Sequence, residues 1–369
     1  MNVEEVRNRF PVLERFAYFN AGTLGPLSRA TLDAMAERAH FDQECGRGGH
    51  VWFESILELR ARVRERLASM IGATPERLAL TGSTTDGCNI VLAGLELGPE
   101  DEVVTTDSEH PGLLLPLHVS GSRVRVARVA ARPTADALET ILGCITPRTR
   151  LLALSHVLWT TGQVMPVHEL RRESGLPVLV DGAQSVGAIP VDVGEVDYYT
   201  VSCQKWLCGP EPLGALYIHD PDELRIGIPS YFAQESIEPD GTFVARAGAA
   251  RFDSGWLASP ALAGLEAALD EAPTWRYERA ADMTQKCRDA LAEHTDVIGE
   301  PGQGTLVSFV SPGDPAEEAA HLYERGVVLR AVPATGWLRA SCGYWASDED
   351  VERLVEGVTT AAAAGRTDR

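Results

Sequence analysis

Lysine is nearly absent from this chain. Of its 33 basic residues, only Lys205 and Lys286 are lysines, and the other 31 are arginines. Where a positive charge alone is wanted the sequence uses arginine, so Lys205 needs a chemical reason. A guanidinium stays protonated, whereas a lysine amine shielded by neighbours such as Trp206 and Leu207 can lose its proton and form a Schiff base. The stretch from Ser202 to Pro210 (Ser-Cys-Gln-Lys-Trp-Leu-Cys-Gly-Pro) is therefore the first candidate for covalent chemistry. A lysine left by chance in an arginine-rich composition is the plain alternative.

Two further stretches give the lysine a context. Leu179-Val180-Asp181-Gly182-Ala183-Gln184-Ser185 places a carboxylate at the end of an apolar strand, with no basic residue beside it in sequence. A buried carboxylate needs a cationic or strongly donating partner, and a protonated pyridine nitrogen is one; capping a helix is the other use of such a residue. Upstream, Gly82-Ser83-Thr84-Thr85-Asp86-Gly87 follows a short strand and feeds a helix, so its N–H groups and hydroxyls could hold an anion. Ser, Thr and Asp also cap helices without any ligand. Taken together, a lysine for a Schiff base, an aspartate for a pyridinium and a hydroxyl-rich turn for a phosphate form the set that pyridoxal 5'-phosphate requires.

The elements that must position these residues are legible in the hydrophobic period. Helical spacing runs from Arg29 to Gly72, interrupted at Gly46 to Gly49. Strands are expected at Leu78–Thr81, Glu102–Thr106, Val124–Val129, Leu151–Ser155, Pro177–Val180, Tyr198–Ser202 and Gly214–Ile218, alternating with helices near 111–120, 134–143 and 166–174. Such alternation predicts an α/β fold around a mostly parallel, mixed sheet. Ligands of such sheets sit at the carboxyl ends of strands, where Thr84, Thr85, Glu109-His110, Asp181 to Gln184 and Ser202 to Lys205 fall. Residues 1–15 form an N-terminal arm, 16–258 a large cofactor-binding domain and 259–369 a smaller C-terminal α/β domain. The latter has linking helices at Ala261–Ala272 and Tyr277–Leu291, strands at Leu306–Val310, Val327–Leu329 and Trp337–Ala340, and a closing helix at Asp348–Val358. The tail from Thr359 is expected to fray. Before the first helix, Asn20-Ala21-Gly22-Thr23-Leu24-Gly25-Pro26 could approach a ligand, but an ordinary turn is the simpler reading.

The whole composition narrows the function classes. A chain of 369 residues, 44% hydrophobic, can bury a large core, and its formal charge of -20 disfavours nucleic acid and anionic membrane as partners. The charged N-terminus lacks a signal-peptide apolar run, and no stretch reaches the roughly 18 apolar residues of a membrane span. Seven cysteines without a paired C-x-x-C array suit reduced thiols, no metal and a cytoplasmic location.

The motifs now resemble the class V branch of the fold-type-I PLP-dependent enzymes, the group of cysteine desulfurases, isopenicillin N epimerase-like proteins and cysteine/cystine C-S lyases. The stretches that carry the resemblance are 107–112 (Asp-Ser-Glu-His-Pro-Gly), 155–166, 180–187, 202–210 and 338–344 (Leu-Arg-Ala-Ser-Cys-Gly-Tyr). Within the group the chain looks most like the C-S lyases. The resemblance implies that Lys205 carries the Schiff base, that Asp181 meets the pyridine nitrogen, and that Gln184 bonds the cofactor's phenolic oxygen. It further implies that His110 stacks over the ring, that Thr84, Thr85 and Ser202 hold the phosphate, and that Arg339 clamps the substrate α-carboxylate, with Arg330 and Asn20 nearby. His110 could instead be a polar strand-end residue, and Arg330 a surface charge. A homodimer acting on a small amino-acid substrate is implied as well.

Three departures from the family pattern matter. Gln204 stands where desulfurases usually have histidine; it can donate to phosphate but cannot titrate. The stretch Arg330 to Arg339 is short and lacks the desulfurases' catalytic cysteine, for which Cys342 is a poor substitute. Gly255-Trp256 has tryptophan where relatives often place a threonine that reaches the neighbouring subunit's phosphate. The expectation is a PLP-dependent C-S β-lyase that cleaves cysteine or an S-substituted cysteine to a thiol or persulfide, pyruvate and ammonia, with Lys205 as the base for the Cα proton. Desulfuration, transamination and decarboxylation-coupled oxidative deamination are the enzymatic alternatives, and a catalytically silent scaffold homologue is the non-enzymatic one.

Overall fold

In the computed structural model, which describes residues 2–130 and 132–364, seven strands form one sheet. In chain order they are β1 (Leu78–Thr81), β2 (Glu102–Thr106), β3 (Arg123–Ala127), β4 (Thr149–Ser155), β5 (Val178–Asp181), β6 (Tyr198–Ser202) and β7 (Gly214–Ile218). Across the sheet they run β1-β7-β6-β5-β4-β2-β3. Only β7 is antiparallel to its neighbours, β1 and β6; every other pair is parallel. The sheet is thus the mostly parallel, mixed one expected.

Apart from the edge strand β3, whose residues are mostly exposed, the strands are buried almost throughout because both faces of the sheet are covered. Side chains alternate between the faces, so neighbours in sequence enter different cores. Val178 and Val180 pack with Ile56, Leu59, Val63 and Leu262, from the helices His50–Met70 and Ser259–Glu271. Leu179 packs the other way, with Ile90, Val91, Leu113 and Leu117 of the helices Thr84–Gly94 and Pro111–Val119.

A second sheet is formed by β8 (Val297–Ile298), β9 (Leu306–Val310), β10 (Arg330–Val332) and β11 (Trp337–Ser341), in the order β8-β9-β11-β10. Ala17–Tyr18 pairs with Val327–Val328 beside it, and Ala17 and Phe19 pack among Phe309, Leu338 and Val351. The N-terminal residues are also anchored: Val6, Phe10 and Leu13 are buried with Trp206 and Trp345, and Arg7 pairs with Asp350 at 2.5 Å.

Several boundaries differ from expectation. Strand β3 stops at Ala127 because Asp107 Oδ1 takes the N–H groups of Val129 and Ala130 into a turn. The stretch from Arg330 to Arg339 is a hairpin of β10 and β11. The final helix runs Asp348–Ala364 instead of fraying from Thr359, and residues 365–369 of that tail lie outside the described residues. The hairpin of Gln234–Ile237 and Phe243–Ala245 was not legible, since its residues are mostly exposed and no apolar alternation marks it. Among the described residues, no helix is long and apolar enough to cross a membrane, and no cluster of potential metal ligands occurs.

Candidate active site

Strand β2 leads to β3 on one side of the sheet, and β4 then begins the return on the other, so the chain reverses direction between β2 and β4. A crevice opens at the carboxyl ends of strands at such a switch point. Asp181 closes β5 next to it, 2% exposed, with Oδ1 accepting the N–H of Ala183 at 2.9 Å. On its two sides Asp181 is in register with Ser155 of β4 and Thr200 of β6. Lys205 follows three residues after the end of β6.

Burial pushes the Lys205 amine down to about 8; nearby Asp181 opposes the shift, and Arg339 and Arg330 reinforce it. The amine is therefore poised to lose its proton near neutral pH. His110 feels the same three groups and Lys205 as well: burial first, then Lys205, Arg330 and Arg339, lower its pKa against Asp181. Its Nδ1 accepts the N–H of Gly112 at 3.0 Å, which caps the helix Pro111–Val119. A backbone N–H can only donate, so this nitrogen is unprotonated and the neutral ring carries its proton on Nε2. The ring meets Trp159 edge-on at 5.2 Å between centroids.

Thr84 and Thr85 open the helix Thr84–Gly94, whose Ser83 cap accepts the N–H of Asp86 at 3.1 Å. The first turn of a helix leaves N–H groups unused and favours an anion. A Cβ on Gly112 would sit 2.7 Å from Thr85 Oγ1 and 3.1 Å from His110 Nδ1, so this glycine brings hydroxyl and imidazole together. Ser202 Oγ and Gln204 Oε1 are buried without a hydrogen-bond partner. A helix N-terminus and hydroxyls fit a phosphate, to which Gln204 could offer only its Nε2 because Oε1 accepts, and Asp181 fits a ring cation.

The Gln184 amide has one orientation. Trp206 Nε1, which can only donate, gives its proton to Oε1 at 2.9 Å, while the Gly22 carbonyl, which can only accept, takes one from Nε2 at 2.8 Å. One N–H of Gln184 is left over. The loop from Asn20 to Gly25 is also tied to the lysine segment, because Gly25 N donates to Gln204 O at 2.8 Å. A Cβ on Gly25 would lie 2.0 Å from Lys205 O, so only glycine fits. A Cβ on Gly22 would lie 2.7 Å from Arg339 Nη2. The ordinary-turn reading of this loop is therefore incomplete: it presses between Lys205 and Arg339. Its glycines were the visible signal.

Arg330 and Arg339 are paired residues of the β10–β11 hairpin. Arg339 is 1% exposed; Nη1 donates to Trp159 O at 2.6 Å, whereas Nε and Nη2, the two donors of one edge of the guanidinium, are unpartnered. Burial, then Arg330, pull its pKa down to about 9. Arg330 Nη1 reaches Thr23 Oγ1 at 3.3 Å, and its Nε, like Asn20 Oδ1, is buried without a partner. Trp256 stands apart from this group, 52% exposed in an aromatic cluster with Trp52, Phe53, Tyr231 and Phe232.

This topology, with a lysine just past the strand that neighbours the aspartate's strand, defines a fold-type-I PLP-dependent enzyme. Residues 17–354 match the family Aminotransferase class-V, and the chain belongs to that family. It is 28% identical to isopenicillin N epimerase of Streptomyces clavuligerus over 96% of this chain and 97% of that one. It is 29% identical to a cysteine desulfurase of Salmonella dublin, over 97% of each. Among solved structures, the cystine C-S lyase C-DES in complex with its reaction product cysteine persulfide superposes with a TM-score of 0.89. That chain is 33% identical, over 95% of this chain and 99% of its own. A lysine-to-alanine mutant of C-DES, with glycine covalently linked to the PLP cofactor, superposes equally well at 32% identity over 96% and 98%. The chain is thus a class V enzyme of the cysteine desulfurase and C-S lyase group, and its cofactor is pyridoxal 5'-phosphate.

Proposed function

We propose that the protein is a C-S β-lyase that cleaves cysteine or an S-substituted cysteine to pyruvate, ammonia and a thiol or persulfide. The observation that carries this reading is the lack of a usable thiol at the substrate arginines. The turn between β10 and β11, residues 333–336, contains no cysteine, and Cys342 is fully buried. Burial also pushes Cys203 and Cys208, the thiols flanking Lys205, up to about 12. Desulfuration requires a protein thiolate that attacks the substrate sulfur, whereas β-elimination requires only a base at Cα. Cystine, the substrate named for C-DES, is the first compound to try.

When bound, PLP supplies an electron sink for the charge left at Cα. The chain's own residues hold and orient. The unpartnered edge of Arg339 offers Nε and Nη2 to the substrate α-carboxylate as a two-donor fork, with Arg330 and Asn20 beside it. Lys205 Nζ, near its ionisation point, takes the Cα proton. Asp181 would hold a proton on the ring nitrogen, and the spare N–H of Gln184 would be available to the phenolic oxygen. Neutral His110 would cover the ring, and Thr84, Thr85, Ser202 and Gln204 would hold the phosphate.

We also infer a homodimer. Tyr231 and Trp256, 63% and 52% exposed, lie in one aromatic cluster with Phe53, and an exposed apolar patch of this kind suits an interface with a second copy. All seven cysteines are unpaired, which suits the cytoplasm. The chemical assignment is tested by incubating holoenzyme with cystine and cysteine S-conjugates, without a 2-oxo acid, and measuring pyruvate. Alanine appearing instead would refute it.

A further inference from the structure

Glu109 is a buried carboxylate, 5% exposed, that no sequence motif assigned a task. It spans the switch-point crevice. Oε1 accepts from Thr106 Oγ1 at the end of β2 (2.6 Å), and Oε2 accepts from Ser155 N (2.8 Å) and Ser155 Oγ (2.5 Å) at the end of β4. The Ser155 N–H can only donate to it, and both hydroxyls have a proton to give, so the cage can hold the carboxylate ionised. Among the described residues no arginine or lysine pairs with it.

A staple between two strands would not need a charge in so dry a place. An unpaired buried carboxylate is costly, and a neutral amide of the same shape could span the same gap. Ser155 is the register partner of Asp181, so the Glu109 carboxylate is held by the strand that adjoins the Asp181 strand, at the same level. The titratable groups that feel Glu109 from neighbouring elements are Asp181 on β5 and Cys88 on the helix Thr84–Gly94. Both carry negative charge when ionised, so neither stabilises it. Burial, against the hydrogen bonds from Ser155 and Thr106, holds the carboxyl up at about 7. What the pair of carboxylates lacks is a cation, and a protonated ring nitrogen at Asp181 would be one.

We propose that Glu109 is a positioning residue of the cofactor site: bridging the strand ends on either side of the switch point, it sets a second negative charge behind Asp181 that strengthens the hold on a protonated cofactor ring. The proposal rests on Asp181 facing the ring nitrogen. It assigns Glu109 an electrostatic role that acts through Asp181 and touches neither substrate nor cofactor. His110, the next residue, is anchored by the same bridge.

The test separates charge from shape. Glu109→Gln keeps every bond if Nε2 donates to Thr106 Oγ1 and Oε1 accepts from Ser155, so it removes only the charge. Apoprotein titrated with PLP, followed by tryptophan fluorescence, should show about tenfold weaker binding in E109Q, the change carried by one pKa unit of differential interaction. In the loaded protein, the pH at which cofactor absorbance titrates should fall, because a lost negative charge makes nearby protons easier to remove. Wild-type affinity and an unchanged titration in E109Q would overturn the proposal. Should E109Q not fold, the equal-sized E109D and E109N serve instead: neither spans both strands, E109D should bind PLP about tenfold more tightly, and equal affinities would overturn the idea. Asp181→Asn separates the two levels. If D181N alters affinity and absorbance while E109Q does not, this inference alone fails; if D181N alters neither, the placement of Asp181 fails and takes this inference with it.

Discussion

Trp206 and Gln184, 22 residues apart in sequence, are joined by an indole N–H that donates to the amide oxygen at 2.9 Å. Together with the Gly22 carbonyl, this bond fixes which end of Gln184 is left to donate. Trp206→Phe would leave a buried acceptor without a partner. The expected loss is about 1–3 kcal/mol of stability in urea unfolding, with fold and cofactor binding retained.

Lys205 is expected to be indispensable. Lys205→Ala should remove the cofactor's covalent attachment and lower turnover by about 10²–10⁴-fold or more through loss of the base alone. The pH dependence has a definite sign. Because the free amine is pulled from 10.5 to about 8, raising the pH through about 8 deprotonates it once substrate has displaced it from the cofactor, and kcat should rise across that limb. Linkage also has a sign in the apoprotein: between about 8 and 10.5 the unfolded chain binds the proton that the folded chain lacks, so this group's contribution to stability grows as pH rises. Comparing denaturation of wild type and Lys205→Met across that window isolates it.

Arg339 should govern substrate capture. Removing its unpartnered fork in Arg339→Ala is expected to cost about 2–5 kcal/mol in kcat/KM, mainly through KM. Arg330→Ala should cost less, since only its Nε is buried without a partner, whereas Arg339 has a two-donor edge free. In both variants a positive charge near Lys205 is lost, so the lysine limb of the pH profile should move upward. Steady-state kinetics at several pH values measures both effects.

Asp253 carries a stability prediction outside the chemistry. Its carboxylate is buried, takes Arg60 at 2.7 Å and Arg64 at 2.5 Å, and accepts the N–H of Leu80 at 2.8 Å. It thereby ties the helix His50–Met70 to the strand that leads into Thr84. Asp253→Ala would leave Arg60 buried and unpaired, and a loss of about 3–5 kcal/mol is expected by chemical denaturation.

Much of this molecule is legible before folding. The scarcity of lysine singles out Lys205, and the apolar runs mark β1, β2, β6 and β7 to the residue, because strands covered on both faces have little choice of side chain. What local pattern hides is contact between distant segments. Gly25 meets Lys205 across 180 residues, Arg330 meets Thr23 across 307, and neither spacing leaves a periodic trace. Glu109 was visible only as a polar residue at a strand end. Its neighbours Thr106 and Ser155 become a cage only once β2 and β4 lie side by side.

The fate of substrate sulfur tests the central claim most directly. Holoenzyme given cystine, with no 2-oxo acid and no added sulfur acceptor, should release pyruvate and ammonia in equal amounts, with cysteine persulfide as the sulfur product. Alanine in place of pyruvate from a cysteine substrate, with the sulfur carried on a protein thiol, would contradict it.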